Sequence, residues 1–359
     1  MALVDRLAEL VSFDTQNPEG EEWPLVQRLG GELRALGAAS VEEVPVGDHG
    51  YVYARFGGEA PRLIINVHID TVPANTGYTS PPHLLVRRGD RLYGLGTADT
   101  KGAIAAVLEA LATGPVRRPV GILFSGDEEH GGTCIRAFLD SPAARGLEQA
   151  IVCEPTGCRI GIRHRGIAAA IVSAEGPGGH SSLVDGLVNP IAVLAHAAVA
   201  LDELGIAHRG TGPAGFPGIN LNIASLDGGI AFNVVPTTGT LSFSIRPAPG
   251  VQAEDLFAEA ERQVRAATAP HAVTWTVAAN RPSFATRNLA SWAPLFGDRL
   301  AAPVDLGFWT EAACFSESGV DAVVFGPGDI AQAHAADEFV TIADLEIAQS
   351  VFAAVLAAS

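Results

Sequence analysis

Basic residues are scarce in this chain, which has 23 lysines and arginines against 40 acidic residues and a net charge of -17 over 359 residues. An excess of negative charge repels phosphate backbones and anionic membrane surfaces. We therefore expect no nucleic-acid partner and no association with a membrane surface.

Long apolar segments are also lacking. No uninterrupted run approaches the roughly 20 residues needed to cross a bilayer. The opening stretch MALVDRLAELVSF carries a charge every few positions and does not resemble a signal peptide. These absences lead us to expect a cytoplasmic protein.

Cysteine is rare and irregularly spaced. The four cysteines, at 134, 153, 158 and 314, form neither a zinc-ribbon spacing nor a paired pattern. The pattern therefore argues against a thiolate metal site and a disulfide framework, and reduced, mostly buried thiols are expected.

What the chain does contain is 48% hydrophobic residues, in a length that suits two domains. Apolar strand-like runs alternate with helical periodicity up to residue 165 and again from 282. This order predicts an α/β catalytic domain with a mostly parallel sheet and helices on both faces. Between them the order is βαββαβ, the ferredoxin-like pattern. We therefore predict a catalytic domain of residues 1–165 and 282–359, interrupted by a smaller domain of residues 166–281.

Three acids stand side by side in FSGDEEHGG, at the end of the apolar run PVGILF. The carboxyl ends of strands are where ligands bind in open α/β sheets. Like charges this close cannot all remain ionised unless cations or donors compensate, or one takes up a proton. The alternative is an ordinary helix start, where acids are favoured in the first turn.

His68 is the last residue of the strand RLIINVH and the first of HIDTVP, in which Asp70 stands two positions later. Side chains two apart on a strand share a face. A carboxylate beside a ligating imidazole is the usual partner that fixes its tautomer. An ordinary strand end is the alternative for this short motif.

Further candidates lie at other strand ends or loops. Asp99 stands among glycines in GLGTADTKG just before a helix, where a plain helix cap is the alternative. Glu154 follows the strand AIVC, and His334 lies beyond the strand AVVFG. The convergence of these separate segments favours a common site.

In series, HIDTVP, GTADTKG, SGDEEHGG, CEPTG and AHAADEF resemble the M20 family of metallo-aminoacylases and exopeptidases in order and spacing. The resemblance covers nearly the whole chain, including the inserted segment. It implies that the inserted domain serves in dimerisation or as a lid, and that the protein is a homodimer.

The resemblance also implies two divalent metal ions. By this resemblance, His68 and Glu154 would hold one ion, and Glu129 and His334 would hold the other. Asp99 would bridge the two ions. Imidazole with carboxylate suits zinc, although cobalt or manganese fits the same atoms. Glu128 would be the base that takes a proton from water and passes it to the leaving amine. Asp70 would be the second catalytic-site residue, as the carboxylate partner of the His68 imidazole.

The inserted segment supplies further residues by resemblance. His180 in GPGGHSS would reach a neighbouring subunit's site and steady the oxyanion, a surface-loop histidine being the alternative. Positions that match substrate-binding residues of the family are Arg165, Asn233, Arg246 and Thr310. Arginine suits a substrate carboxylate because its fork binds bidentately.

Two departures from the family pattern fall near Arg246. The family often has acids after the NVVP proline and two residues before this arginine, where the chain has Thr237 and Ser244. They bear on the orientation of Arg246 and leave the metal set untouched.

The tail segment GFWTEAACFSESGVDAVVFGPGDIAQAHAADEFVT most resembles the acetylornithine and N-acetylcitrulline deacetylase group of the family. This implies hydrolysis of a small N-acetyl-L-amino acid with release of acetate, in arginine synthesis. Two alternatives stay open. One is a succinyl-diaminopimelate desuccinylase or dipeptidase of the same family, and the other is a catalytically silent metal-binding homologue.

Overall fold

A computed structural model describes residues 2–358, so positions 1 and 359 of the predicted catalytic domain lie outside the described residues. The chain divides into two compact units. The first comprises the residues up to 162, 286–306 and those from 310 onward, and the second comprises 163–285 and 307–309. The predicted domain borders after residues 165 and 281 stay predictions. The sequence pattern does not predict that residues 307–309 belong to the second unit.

The first unit is built on a sheet whose strands run in the order β1-β2-β6-β3-β7-β17. These strands are β1 (Ser40–Val46), β2 (His49–Phe56), β3 (Leu63–His68), β6 (Val120–Ser125), β7 (Gln149–Cys153) and β17 (Asp321–Val324). The pairs β6–β3, β3–β7 and β7–β17 are parallel, whereas β1 and β2 add antiparallel strands at one edge. Further strands are β4 (Val86–Arg88), β5 (Arg91–Tyr93), β8 (Gly161–His164), β16 (Val304–Leu306) and β18 (Phe339–Thr341).

Strands β3 and β6 are buried at every residue, so both faces of the sheet are covered. Their continuous apolar sequences suit strands of this kind, because no side of such a strand meets water. The helices of this unit are α1 (Leu3–Val11), α2 (Trp23–Ala35), α3 (Gly102–Thr113), α4 (Thr133–Asp140), α7 (Ala293–Phe296), α8 (Ala312–Glu317) and α9 (Ile342–Ala357). The predicted fold class is therefore confirmed for this unit.

The second unit has the order β9-α5-β11-β13-α6-β14 along the chain and β11-β13-β9-β14 across an antiparallel sheet. This is the ferredoxin-like arrangement predicted from the sequence. The elements are β9 (Ile167–Glu175), α5 (Pro190–Ala207), β11 (Asn222–Gly228), β13 (Thr238–Ile245), α6 (Ala253–Thr268) and β14 (Thr274–Arg281). Short strands β10 (Gly179–His180) and β12 (Val234–Val235) pair with each other, and β15 is Phe284–Ala285.

Among the described residues, helix α5 is apolar enough by length and composition alone to cross a membrane, with a mean hydropathy of 1.5. It is not an uninterrupted apolar run, because it includes Asp202 and Glu203. Its Leu194, Leu201 and Leu204 are buried in the core of the second unit. Packing within this unit thus accounts for one side of α5, whereas Val199 and Ile206 on the same helix are exposed.

The core of the second unit provides a stability prediction. The ring of Phe243 lies edge-on to Trp275, with 5.3 Å between centroids, and close to Phe257. Replacing Phe243 by alanine leaves a cavity, and we expect a loss of about 3–5 kcal/mol in unfolding free energy. Urea unfolding followed by tryptophan fluorescence measures the loss. The matched control is Thr240→Ala, an exposed position on the same strand, and its unfolding free energy should stay close to that of the wild type. A loss below about 1 kcal/mol in Phe243→Ala would contradict this packing.

Candidate active site

Parallel strands place several predicted residues at one edge of the sheet. His68 ends β3, Glu128 and Glu129 follow β6, and Glu154 follows β7. Within the sheet, His68 is the register partner of Ser125, the last residue of β6. Because these strands are parallel neighbours, their carboxyl ends, and the side chains just beyond them, meet at the same edge.

Two groups of possible ligands share Asp99. In one group, His68 Nε2 lies 2.9 Å from Asp99 Oδ1 and 4.0 Å from Glu154 Oε2. In the other, His334 Nε2 lies 3.2 Å from Glu129 Oε1 and 3.4 Å from Asp99 Oδ2. Within each group the candidate ligand atoms all lie within 4.8 Å of one another. Each oxygen of Asp99 therefore faces a different histidine, as expected of a carboxylate between two cation sites.

The carboxylates of the site have too little positive charge near them to compensate for their burial. Burial raises the pKa of Glu154 well above its usual value, and nearby carboxylates add to this although His68 opposes it. Burial and the charge of Asp99 likewise raise the pKa of Glu129. Burial alone would raise the pKa of Asp99, but hydrogen bonds with His334 and His68 hold it below its ordinary value. Divalent cations are the charge that this donor set calls for.

His334 differs from the buried ligands because about half of its side chain, 51%, is exposed. Its backbone is left-handed, with φ 58°, and its carbonyl accepts a hydrogen bond from Asn75. Hydrogen bonds with Asp99 and Glu129 raise the pKa of His334 to about 10. The two carboxylates thus favour positive charge at this position, and this side of the group is open to solvent.

Asp70 holds the turn after β6. Its two carboxylate oxygens accept the backbone N–H groups of Glu128 and Glu129, each at 3.1 Å. The nearest acceptor for His68 Nδ1 is the backbone carbonyl of Asp70, at 3.0 Å, whereas the carboxylate Oδ1 lies at 3.5 Å. Asp70 therefore orients both the histidine and the two glutamates, through different atoms.

Glu128 stands beside the two groups without belonging to either. Its side chain is buried, with 8% of the residue exposed. Burial raises the pKa of Glu128 well above its usual value, and the charges of Glu129, Glu311 and Asp70 add to this although His68 opposes it. A carboxyl with raised proton affinity beside a cation site suits a group that takes up and returns a proton.

Glu338 is a supporting residue that the sequence pattern does not reveal. Its carboxylate accepts the backbone N–H groups of Gly96, Ala98 and Asp99 at 2.8, 2.8 and 3.0 Å. Burial raises the pKa of Glu338 to about 8, the charge of Asp99 adds to this, and these N–H groups oppose it. The loop that presents Asp99 is thus held by an acid four residues after His334. Its position in AHAADEF is the only signal that could have pointed to it.

Glu311 is a second residue of this kind. Its Oε2 accepts hydrogen bonds from Asn66 of β3 and Ser125 of β6, the latter at 2.8 Å. Burial raises the pKa of Glu311 to about 7. Glu311 therefore ties the ends of the two strands that lead to His68 and Glu128. Its neighbour Thr310, predicted to bind substrate, is fully buried and accepts the N–H of Ala312.

The two predicted arginines lie in the second unit and differ in their contacts. Arg165 donates to the backbone carbonyls of Pro217, Gly218 and Arg246, at 2.7 to 2.9 Å. The side chain of Arg246 is exposed, and its backbone N–H donates to Ile219. Arg165 is thus occupied in holding the backbone at Arg246.

His180 and Asn233, the other predicted residues of the second unit, lie on adjacent segments. His180 belongs to β10, which pairs with β12 just after Asn233, and Ser181 donates its N–H to the carbonyl of Asn233 at 3.1 Å. His180 is exposed, and its Nδ1 lies 2.7 Å from the hydroxyl of Ser182. The structure brings these two segments together within their own unit.

The model of Peptidase family M20/M25/M40 matches residues 64–358 of this chain. The chain belongs to this family. The M20 resemblance drawn from the sequence motifs is thereby confirmed, as is the prediction of a hydrolase that acts on amide bonds.

Relatives of known name extend over nearly the full length. The chain is 36% identical to the N-acetyl-L-citrulline deacetylase of Xanthomonas campestris pv. campestris, over 96% of this chain and 94% of the relative. It is 30% identical to the acetylornithine deacetylase of Erwinia tasmaniensis, over 92% of this chain and 90% of the relative. A solved M20 family metallo-carboxypeptidase from Sulfolobus solfataricus has the same fold, with a TM-score of 0.81 at 17% identity over 99% and 98% of the two chains.

The contacts of Glu338 lead to a prediction. Glu338→Gln places an amide NH₂ against backbone N–H donors, so at least one buried donor loses its acceptor, at a cost of about 1–3 kcal/mol. Urea unfolding of chelator-treated protein at pH 6, below the pKa of about 8, should show this loss, because no buried charge is then removed by the substitution. The exposed Glu346→Gln on α9 is the matched control and should unfold like the wild type. Equal stability of the two variants would mean that Glu338 does not hold the Asp99 loop.

Proposed function

We propose that this protein hydrolyses the acetyl amide of an N-acetyl-L-amino acid in a metal-dependent reaction that releases acetate. The observation that carries the proposal is the pair of acid–imidazole groups sharing Asp99, with Glu128 beside them. The choice of an acetylated amino acid is supported by relatives named N-acetyl-L-citrulline deacetylase and acetylornithine deacetylase. By the same support, the reaction belongs to arginine biosynthesis.

Two divalent ions, with zinc favoured over cobalt or manganese, are part of the proposal. His68 and Glu154 would hold one ion, Glu129 and His334 the other, and Asp99 would lie between them. The raised pKa values of Glu154 and Glu129 fit a site built for cations, because the acids crowd together without enough positive charge. Oxygen and imidazole donors suit zinc.

The ions would supply Lewis acidity, which makes a water molecule more acidic and polarises the acetyl carbonyl. Glu128 then accepts the proton of that water as it attacks, and gives the proton to the amine as the C–N bond breaks. Asp70 keeps Glu128 in place through its backbone N–H. The exposed side of His334 leaves a path for substrate from solvent.

For the α-carboxylate of the substrate we propose Arg246, with Thr310 and Asn233 as further substrate-binding residues. Arg165 is the less suitable arginine because its guanidinium already donates to backbone carbonyls. A guanidinium fork binds a carboxylate bidentately. Arg165 would instead keep the backbone of Arg246 in position.

Assembly and location complete the proposal. The protein would be a cytoplasmic homodimer formed through the second unit, with His180 donating to the oxyanion in the partner's site. Support comes from the family resemblance and from the exposure of His180. A donor aimed at the developing oxyanion is worth about 10²–10³ in kcat.

Substrate class is tested by turnover on N-acetylcitrulline, N-acetylornithine, succinyl-diaminopimelate and a dipeptide, each with added zinc or cobalt. We expect acetate release from an acetylated amino acid, with N-acetylcitrulline first because its named relative is the more identical one.

Glu128→Gln keeps the size of the side chain and removes the base, so kcat should fall by at least about 10²–10⁴-fold.

Other outcomes favour the alternatives. A preference for succinyl-diaminopimelate or a dipeptide would place the protein in another branch of the family. No turnover on any compound, with metal still bound, would indicate a silent metal-binding homologue. Full turnover by Glu128→Gln would remove Glu128 from the mechanism.

Action of His180 in the partner's site is tested by complementation. His180→Ala and Glu128→Gln chains, each expected to be inactive, are mixed after denaturation and refolding. A mixed dimer then contains one complete site, so activity should return to about a quarter of the wild-type value if subunits pair at random. Absence of recovery in mixed dimers verified by mass spectrometry would mean that His180 does not act across the interface.

A further inference from the structure

Asn17 lies buried between two aspartates of the site, with 5% of the residue exposed. Its Nδ2 is 3.0 Å from Asp70 Oδ2 and 3.0 Å from Asp127 Oδ1. Both aspartates are themselves buried, with 0% and 2% exposed. Since an ionised carboxylate only accepts hydrogen bonds, the amide nitrogen with its two N–H groups must be the end of Asn17 that faces them.

The two aspartates shape the turn that follows β6. Asp70 accepts the N–H groups of Glu128 and Glu129. Asp127 accepts the N–H groups of Gly131 and Thr133, each at 3.0 Å, and so closes the turn before α4. The side-chain amide of Asn17 thus connects Asp70, which holds the start of the turn, to Asp127, which holds its end.

Like charges at this spacing would repel each other strongly in a buried site. A neutral donor between them satisfies one oxygen of each without adding a charge. A lysine at this point would supply a charge, and an acid would add to the repulsion.

The segment before Asn17 is held firmly against the end of β3. The backbone N–H of Asn17 donates to Thr71 at 2.8 Å, and Thr71 donates to Thr15 at 3.0 Å. The hydroxyl of Thr15 donates to the carbonyl of Ile69 at 2.8 Å, and the buried Lys101 donates to Phe13 at 2.9 Å. The amide of Asn17 is therefore presented from a fixed backbone.

We propose that Asn17 is a positioning residue of the reaction, which acts through Asp70 and Asp127 to fix the turn carrying Glu128 and Glu129. This inference rests on the proposed function for the roles of those two glutamates. The competing explanation is that Asn17 only fills space beneath the turn.

Asn17→Asp separates these explanations, because it keeps the shape of the side chain and replaces both N–H donors by an acceptor. A space-filling residue tolerates this change, whereas a donor between two carboxylates does not. Asn17→Ala removes the donors without adding charge. Asn222→Asp, on exposed strand β11, is the matched control for the added charge.

We expect kcat of Asn17→Asp to fall by about 10–100-fold with KM within about twofold, as for other residues that orient a ligand or base. Asn17→Ala should lose less than Asn17→Asp, and Asn222→Asp should match the wild type. Zinc affinity, measured by competition with a chromophoric chelator, should weaken by about 10–100-fold in Asn17→Asp, because Glu129 depends on the same turn.

Wild-type kcat and zinc affinity in Asn17→Asp would overturn the proposal. If circular dichroism shows that Asn17→Asp does not fold, Asn17→Ala decides the question, and its turnover within about twofold of the wild type would overturn the proposal. The measurement of zinc affinity needs no substrate, so it tests the role of Asn17 even if the wild type hydrolyses no acetylated amino acid. Such a lack of hydrolysis would count against the proposed function and not against the role of Asn17.

Discussion

Repulsion between buried carboxylates is the constraint on which this site depends. Asp70, Asp99, Glu128, Glu129 and Glu154 converge where parallel strands end, in surroundings with little solvent. Asp70 is stabilised by backbone N–H groups and Asp99 by two histidines. The three glutamates respond to burial and to the neighbouring acids with raised pKa values. A binuclear cation site explains why such an arrangement is built into the core of a folded domain.

The chain completes this site from distant segments. Strands β3, β6 and β7 bring His68 and the glutamates to the sheet edge, but the loop of Asp99 is held by Glu338, and Glu311 ties β3 to β6. Both of these acids come from the part of the first unit that follows the second unit in sequence. The catalytic unit therefore depends on its last segment for the geometry of the site.

Local patterns account for what could be predicted from the sequence. Continuous apolar runs identified the buried strands, and motif order identified the residues that the structure gathers around Asp99. Glu338 and Glu311 could not be found this way, because each acts on backbone or side chains more than 180 residues away. Arg165 shows what motif matching leaves out: its place in the family pattern predicts a substrate-binding role, but the pattern does not reveal that its guanidinium also donates to backbone carbonyls of its own unit.

The proposed mechanism depends most on the position of Asp99 between two cations. Anomalous diffraction at the zinc edge, from crystals of chelator-treated protein supplied with zinc, tests it directly. We expect two peaks about 3.5–4 Å apart, one beside His68 and Glu154 and the other beside Glu129 and His334, with an oxygen of Asp99 near each. A single peak at full occupancy, or peaks that do not contact Asp99, would contradict it.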